Sequence, residues 1–296
     1  PIETWNEIDF SLWIKSQKWN ENEIIQECCE VIEKLKLFPK VMLKDQIIER
    51  KDLKEFLISE MLGNVLIWKC KNGSTNNFSL YLDGPFKNIV NVNFGTETPF
   101  YVACEKGRIE IVKILLSEKR VDINKSTKSE TTPFWIACKE GHIDVVEILL
   151  NDQRFVNINK SNKYDQTPFY ITCFQGHIEI VKLLLHDKRV DETQTQNDLW
   201  ASFWMACYNG HLEIVNSLLN NERVNPNKTN TRNESPFQIA CKNGHIEIVK
   251  LLLNDKRISI RKKTKEGKTA IDLAKEENHS NIVKLLQEFD TGNYSK

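Results

Sequence analysis

The chain has 296 residues, of which 41 are basic and 41 acidic, so its formal net charge at neutral pH is zero. A neutral surface argues against nucleic-acid binding over a broad face, because such binding depends on an excess of Lys and Arg. No run of 18 apolar residues and no charged start followed by an apolar run occurs. We therefore expect no membrane-spanning helix and no secretory signal.

The N-terminal segment, residues 1–62, lacks an internal period and has the pattern of three helices. The stretches run from Thr4 to about Ser16, from Glu21 to about Leu37, and from about Lys40 to Met61. In the middle stretch the apolar residues fall at helical spacing and form one stripe, and Pro39 separates it from the next. We predict that this segment forms a helical cap over the domain that follows or, alternatively, a small helical interaction domain.

After this segment the sequence repeats with a period of about 34 residues, which is the length of one stacked supersecondary unit. Five cysteines recur at this period, each three positions before a glycine: Cys104, Cys138, Cys173, Cys207 and Cys241. One further step towards the N-terminus reaches Cys70, which precedes Gly73 in the same way. The pattern predicts six clear copies over about residues 94–290 and a seventh, degenerate copy over residues 64–97.

Each copy has the local chemistry of two helices and a polar loop. Thr132 followed by Pro133 is a helix start, because the hydroxyl caps free backbone N–H groups and proline loses no hydrogen bond at the first helical position. Gly141 ends this helix, since a left-handed backbone costs glycine little. Apolar spacing then predicts a second helix from Ile143 to Leu150. A polar stretch returns the chain as a hairpin to the next copy.

This pattern resembles the ankyrin repeat, whose signature runs through Thr-Pro-Leu-His, two alanines, Gly-His, a paired apolar helix and Val-Asn. Its first motif recurs here as Thr98-Pro99-Phe100, Thr132-Pro133-Phe134, Thr167-Pro168-Phe169, Ala201-Ser202-Phe203, Ser235-Pro236-Phe237 and Thr269-Ala270-Ile271. Residues that we expect to pack between copies replace the family's histidine: Tyr101, Trp135, Tyr170, Trp204, Gln238 and Asp272. The resemblance implies an all-α ankyrin-repeat solenoid over residues 63–290, preceded by the helical cap and followed by a tail, residues 291–296.

Repeated cysteines and histidines would suit metal or catalytic chemistry, but their period argues against both. Zinc sites need ligands at close spacings such as Cys-x2-Cys, and no such pair occurs. Cysteines one copy apart lie roughly 10 Å from each other by the usual helix packing distance, too far for a disulfide. We predict that the histidines after the repeat glycines hydrogen-bond in the turn between helices. Phosphate-loop, dinucleotide, zinc-protease and nucleophile-elbow motifs are absent, so we expect no catalysis, cofactor or metal.

Function in a repeat protein is expected where the copies differ. The resemblance implies that partners dock on the concave face, formed by the hairpin tips and the two positions before the repeat glycine. There the outer copies have charges, whereas the two middle copies have Phe174 and Tyr208. At the tips Tyr164 is aromatic, and Leu199 and Trp200 replace polar residues. We predict that these five residues form a partner-binding patch, unless Leu199 and Trp200 fold over a neighbouring hairpin and stabilise it.

These patterns favour a non-catalytic adaptor or scaffold that holds a protein partner of unknown identity in the concave groove. The alternative is a regulatory or inhibitory subunit that docks on an enzyme through the N-terminal helices. We expect a monomer before partner binding, located in the cytoplasm, or in the nucleus if the basic run Arg261-Lys262-Lys263 is a targeting signal. The same run would suit a phosphate, but the absence of excess positive charge favours a solvated loop.

Overall fold

The structure is a computed structural model, and it describes residues 63–76, 78, 82, 90–91, 97–154, 157–193 and 196–291. The helices predicted within residues 1–62 lie outside the described residues, as does nearly all of the predicted tail. The chain divides into two compact units. The first comprises residues 1–137 and 147–156, and the second comprises residues 138–146 and 157–296.

Helices dominate the described residues, which contain no β-strand. Residues 63–72 are helical, and the helices from residue 99 onward are labelled α1 to α13. They are α1 Pro99–Glu105, α2 Ile109–Ser117, α3 Pro133–Glu140, α4 Ile143–Asn151, α5 Pro168–Gln175, α6 Ile178–His186, α7 Lys188–Thr193, α8 Gln196–Asn209, α9 Leu212–Leu219, α10 Pro236–Lys242, α11 Ile246–Leu253, α12 Ala270–Glu276 and α13 Ser280–Asp290. The all-α class predicted from the sequence is confirmed.

The first helix of most copies begins where the Thr-Pro motif predicts. Thr98 Oγ1 accepts a hydrogen bond from the backbone N–H of Tyr101 at 3.1 Å, and Thr167 Oγ1 accepts the equivalent bond from Tyr170 at 3.1 Å. At the other end of α5, Gly176 has a φ of +89° in the left-handed region. Capping at one end and glycine at the other therefore limit the first helix to about two turns.

Within the second unit the helices form two rows. First helices pack on first helices, α5 on α8, α8 on α10 and α10 on α12. Second helices pack in the same order, α6 on α9, α9 on α11 and α11 on α13. The core of the first-helix row includes Phe169, Phe203 and Phe237, which are all fully buried. Each copy thus buries its apolar face against the next, as a stacked repeat requires.

An arginine after the second helix ties each of several copies to the preceding one. In the second unit Arg257 Nη2 donates a hydrogen bond to the carbonyl oxygen of Leu219 at 2.6 Å. Asp255 holds the guanidinium in place, with its Oδ2 also 2.6 Å from Nη2. In the first unit Arg120 and Arg154 donate equivalent bonds to carbonyls of the copy before them. These contacts satisfy carbonyls that the helix C-terminus leaves without an intrahelical partner.

The loops between copies close as hairpin turns with a common geometry. In one of them the N–H of Asn162 donates to the carbonyl of Gln166 at 3.1 Å. Asp165 adopts a left-handed backbone there, with a φ of +57°. The residues at this position in three other hairpins also have positive φ: Glu130 at +60°, Asn233 at +60° and Gly267 at +78°.

The sequence predicts a polar hairpin before Phe203, and this prediction is wrong. Helix α7 and the start of α8 occupy this part of the chain. The residue at the left-handed position of that copy is Leu199, and an apolar side chain is disfavoured there compared with Gly, Asn or Asp. Ala201 stands where the other copies have a Thr or Ser cap, so no side chain stops the helix at that point. The helix therefore extends upstream to Gln196 and has 14 residues.

The first part of the predicted seventh copy has the geometry of a repeat. Cys70 is buried, and Gly73 has a φ of +75°. Arg108 donates two hydrogen bonds to the carbonyl of Lys71, at 3.0 and 2.8 Å. Most of residues 77–96 lie outside the described residues, so the seventh copy stays a prediction.

Candidate partner-binding surface

Two neighbouring first helices of the second unit each have an aromatic pair four residues apart. The pair on α5 is Tyr170 and Phe174, and the pair on α8 is Trp204 and Tyr208. Side chains at this spacing share a helix face. The rings of Trp204 and Tyr208 are stacked, with centroids 5.5 Å apart and ring planes at 18°. We name these four residues the aromatic quartet.

The quartet has two exposed rings and two that are partly buried. Tyr208 and Phe174 keep 43% and 36% of their surface exposed. Burial raises the pKa of the Tyr170 phenol. Trp204 Nε1 donates a hydrogen bond to the carbonyl of Glu234 at 3.3 Å, so its polar atom is satisfied by the protein. The quartet therefore offers a partner aromatic surface together with the phenol hydroxyls of Tyr170 and Tyr208.

The exposed residues are fixed through their backbones. The carbonyl of Phe174 accepts hydrogen bonds from Asn209 Nδ2 at 2.8 Å and from His211 Nε2 at 3.0 Å, both on the following copy. The carbonyl of Tyr208 is bound in the same way one copy later. Because Asn209 directly follows Tyr208, these bonds bring the two exposed residues onto adjacent positions of one surface.

Only α5 and α8 have this aromatic pair among the described first helices. The other helices place a charged residue at the outer position: Glu105 after Tyr101, Lys139 after Trp135, Lys242 after Gln238, and Glu276 after Asp272. Phe174 and Tyr208 belong to the patch predicted from the sequence, whereas Tyr170 and Trp204 do not. The spacing of four residues within each helix is the signal that identifies them.

Tyr164 occupies the tip of the hairpin before α5 and is 68% exposed. Its backbone N–H donates to Asn162 Oδ1 at 2.9 Å, and the ammonium of Lys163 lies 4.9 Å from its ring centroid. No ring contact among the described residues joins Tyr164 to the quartet. Tyr164 therefore precedes the quartet in the sequence but lies on a hairpin tip and not on a first helix.

Leu199 and Trp200 do not belong to an exposed patch, which corrects the sequence prediction for these two residues. Leu199 is 1% exposed and lies in the core. Trp200 is half-buried, and its Nε1 donates to the carbonyl of Lys228 at 2.8 Å while the Lys228 ammonium lies 4.9 Å from the indole centroid. Trp200 thus folds over the following hairpin, which is the alternative that the sequence left open.

The repeated cysteines have no chemical role in a site. All six described thiols are free and fully buried: Cys70, Cys104, Cys138, Cys173, Cys207 and Cys241. Burial raises the pKa of every one of them, and raises that of Cys138 to about 12 although a hydrogen bond with Thr172 acts in the opposite direction. A protonated, inaccessible thiol is neither a nucleophile nor a metal ligand.

The repeated histidines make hydrogen bonds, but their partners lie on the preceding copy and not in the turn that the sequence predicts. His177 Nε2 lies 2.9 Å from the carbonyl of Lys139, and His279 Nε2 lies 3.0 Å from the carbonyl of Lys242. Each ring therefore joins two copies.

The described part of the chain holds no cluster of three or more His, Cys, Asp or Glu side chains that could bind a metal ion. None of the helices in that part combines the length and the apolar character needed to cross a bilayer.

Comparison with known families gives three matches to one family model, described as ankyrin repeats (3 copies). The matches cover residues 42–127, 119–196 and 203–294, which is most of the chain. They include all four residues of the aromatic quartet. No curated protein matches this sequence.

Proposed function

Since the chain belongs to the ankyrin repeat family, we propose that it is a non-catalytic adaptor or scaffold that holds a segment of a protein partner on the aromatic quartet. Ankyrin repeats generally mediate protein–protein interaction. The family resemblance implies that partners dock on the face formed by the first helices and the hairpin tips. The quartet lies on two first helices of this kind, α5 and α8.

One observation supports the quartet over the rest of that face. Among the described residues the large exposed apolar side chains are Tyr164, Phe174, Tyr208 and Leu212. Two of these four belong to the quartet and lie on adjacent copies. Exposed aromatic residues that cluster on a rigid surface are typical of protein interfaces, which are enriched in Tyr, Trp and Phe.

The local energetics favour a binding role for the exposed rings. Their partly solvated surface contributes nothing to folding, whereas a partner that covers it removes aromatic surface from water. Aromatic residues at the centre of an interface often cost about 2 kcal/mol or more when truncated to alanine. Fixed backbones at both positions reduce the conformational entropy that binding would otherwise cost.

The proposal is tested by affinity capture followed by mass spectrometry with three forms of the full chain. These are the wild type, the double variant Phe174→Ala/Tyr208→Ala, and the control Leu212→Ala. Leu212 is a matched control because it is 39% exposed but starts the second helix α9. We expect at least one protein that the wild type and the control capture to be absent from the double variant.

Unfolding experiments separate this result from loss of fold. Both rings are partly buried and Tyr208 stacks on Trp204, so we expect the double variant to lose about 1–3 kcal/mol of the free energy of unfolding and to stay folded without denaturant. If the double variant keeps every captured protein, the quartet is not the binding surface. If it loses them only because it unfolds, the residues are structural.

A further inference from the structure

Exposed cations lie on the copies that follow the quartet in the second unit. Trp204 of the quartet donates to the carbonyl of Glu234, in the hairpin whose tip is Arg232. The carbonyl of Arg232 in turn accepts a hydrogen bond at 3.0 Å from the backbone N–H of Lys265, at the tip of the next hairpin. Hydrogen bonds thus join the quartet to the hairpin of Arg232, and that hairpin to the hairpin of Lys265.

Three cations near these tips form no direct ion pair within the described residues. They are Arg232, Lys263 and Lys265, and all three are exposed. Lys263 belongs to the basic run Arg261-Lys262-Lys263, for which the sequence favoured a solvated loop, and Lys265 follows two residues later. The structure adds Arg232 to them from the neighbouring hairpin.

The carboxylates in the same region already have partners. Glu266 and Glu276 both lie 2.9 Å from the ammonium of Lys268. Glu234 is buried and lies 3.4 Å from the ammonium of Lys242. Two lysines, Lys268 and Lys242, thus share three carboxylates, and charge interactions also link Glu266 to Arg232 and Asp272 to Lys263. With Arg232, Lys263 and Lys265, five cations stand against these four carboxylates, which leaves an excess of positive charge for an external anion.

We infer that the partner segment combines apolar anchors with acidic residues: its anchors cover the quartet, and Asp or Glu side chains lie against Arg232, Lys263 and Lys265. This inference rests on the proposed function. Neighbouring helices pack about 8–10 Å apart, and an extended chain advances about 3.3 Å per residue, so one copy corresponds to about three residues. The acidic residues are therefore expected about three to six positions from the nearest anchor.

The two parts of the segment have different physical roles. The quartet supplies contact that depends little on salt, because it is aromatic. The cations act through exposed charges, which are screened over about 10 Å at an ionic strength of 0.1 M. Complementary charges at the edge of an interface fix orientation and suppress wrong partners more than they add affinity. The cations therefore set the register and direction of a segment that the quartet holds.

Display of random peptides, long enough to span both hairpin tips, against the full chain tests this inference directly. Parallel selections use the wild type, Lys263→Glu/Lys265→Glu, and Phe174→Ala/Tyr208→Ala. A fourth bait, Lys256→Glu/Lys284→Glu, makes the same change in net charge at exposed lysines outside the two hairpin tips. We expect the wild type and the fourth bait to enrich peptides with aromatic or large aliphatic residues and, three to six positions away, Asp or Glu.

The variants assign each part of the selected pattern. Lys263→Glu/Lys265→Glu should keep the apolar anchors and lose the acidic residues. One selected peptide, measured by fluorescence anisotropy, should bind this variant about tenfold more weakly than the wild type at about 0.1 M NaCl. At about 1 M NaCl, where the screening length falls to about 3 Å, the difference should be less than about twofold.

Other outcomes overturn the inference in distinguishable ways. The selected peptides could have anchors but no acidic residues, or acidic residues that are still selected by Lys263→Glu/Lys265→Glu. Either result refutes the predicted contact between acidic residues and the cations and leaves the proposed function in place. A second outcome is that no peptides are enriched but a single-stranded oligonucleotide binds tightly, and Lys263→Glu/Lys265→Glu abolishes this binding. The cations would then bind nucleic acid, and the inference would be refuted. If the quartet variant selects the same peptides as the wild type, the proposed function itself fails.

Discussion

The imidazole of His211 lies directly against Gly176 of the preceding copy, so closely that a Cβ on this glycine would be 2.6 Å from Cε1 of the ring. The glycine therefore satisfies two demands, a left-handed backbone and space for a neighbour's ring. The same relationship recurs along the second unit between His177 and Gly141, His245 and Gly210, and His279 and Gly244.

Replacing Gly176 by alanine should destabilise the second unit for both reasons. The left-handed backbone costs a residue with a Cβ about 1–2 kcal/mol, and displacement of the His211 ring adds to this. Gly267→Ala is the matched control, because Gly267 has a φ of +78° but nothing within 4 Å of the added Cβ. Denaturant unfolding should show a larger loss for Gly176→Ala, and equal losses would mean that the ring contact contributes nothing.

Truncation of Leu199 should lower the free energy of unfolding more than truncation of an exposed quartet residue. Leu→Ala in a core typically costs about 2–5 kcal/mol, and Leu199 is fully buried. Phe174→Ala should cost less, about 1 kcal/mol, because the ring keeps 36% of its surface exposed. Urea titration followed by circular dichroism measures both. A Leu199→Ala variant as stable as the wild type would contradict the core position assigned to this side chain.

Acid should weaken the ion pairs between an aspartate and the arginine two residues after it, such as Asp255 and Arg257. The hydrogen bond from Arg257 chiefly holds the pKa of Asp255 below its usual value, although partial burial opposes this. A depressed pKa means that the stabilisation is present above the usual Asp value of about 3.9 and is lost as the pH falls through the lower value of the folded state. Asp255→Asn should therefore reduce the loss of stability on acidification below about pH 4.

The chain supplies its own counterpart for this experiment. At the equivalent position of another copy, Asn221 Oδ1 accepts a hydrogen bond from the backbone N–H of Arg223 at 3.0 Å. Asn221→Asp should add stability at neutral pH, by no more than about 1 kcal/mol because the pair is near the surface, and should steepen the acid dependence. Denaturant titrations at several pH values give the dependence of the free energy of unfolding on pH. If both variants show the wild-type dependence, these ion pairs do not contribute to the pH dependence of stability.

The six described cysteines should resist alkylation in the folded protein. They are inaccessible, and burial keeps their thiols protonated. Iodoacetamide at mildly alkaline pH, followed by peptide mass spectrometry, should label them only at the rate at which each copy opens, and label all of them rapidly in urea. Labelling of Cys173 in the native protein at the rate of a free thiol would show that the stack is open there.

Regular copies could be predicted from the sequence because their determinants are local. The Thr cap, the proline after it and the left-handed glycine act within a few residues, so the positions of α1, α3, α5 and α10 follow from the motif. The copy in which α7 and α8 replace the hairpin could not be predicted in this way. Leu199 stands where other copies have a polar loop residue, and its burial depends on a helix that forms only because a cap and a turn residue are both missing.

The candidate surface was predictable only in part for a similar reason. Phe174 and Tyr208 differ from their counterparts in a comparison of copies, so the sequence identifies them. Tyr170 and Trp204 stand at a position that is also aromatic in other copies, where Tyr101 and Trp135 are buried. Their role beside the exposed rings becomes apparent only from the stacking of Trp204 on Tyr208 and from the packing of α5 on α8.

The carbonyl bonds of Phe174 and Tyr208 have a consequence for how binding specificity can change. The neighbouring copy recognises the main chain at these positions, and almost any residue other than proline supplies the same carbonyl in the same place. The side chains can therefore change without loss of these bonds between copies. Selection, in nature or in a library randomised at both positions, can exchange one partner for another while the architecture stays constant.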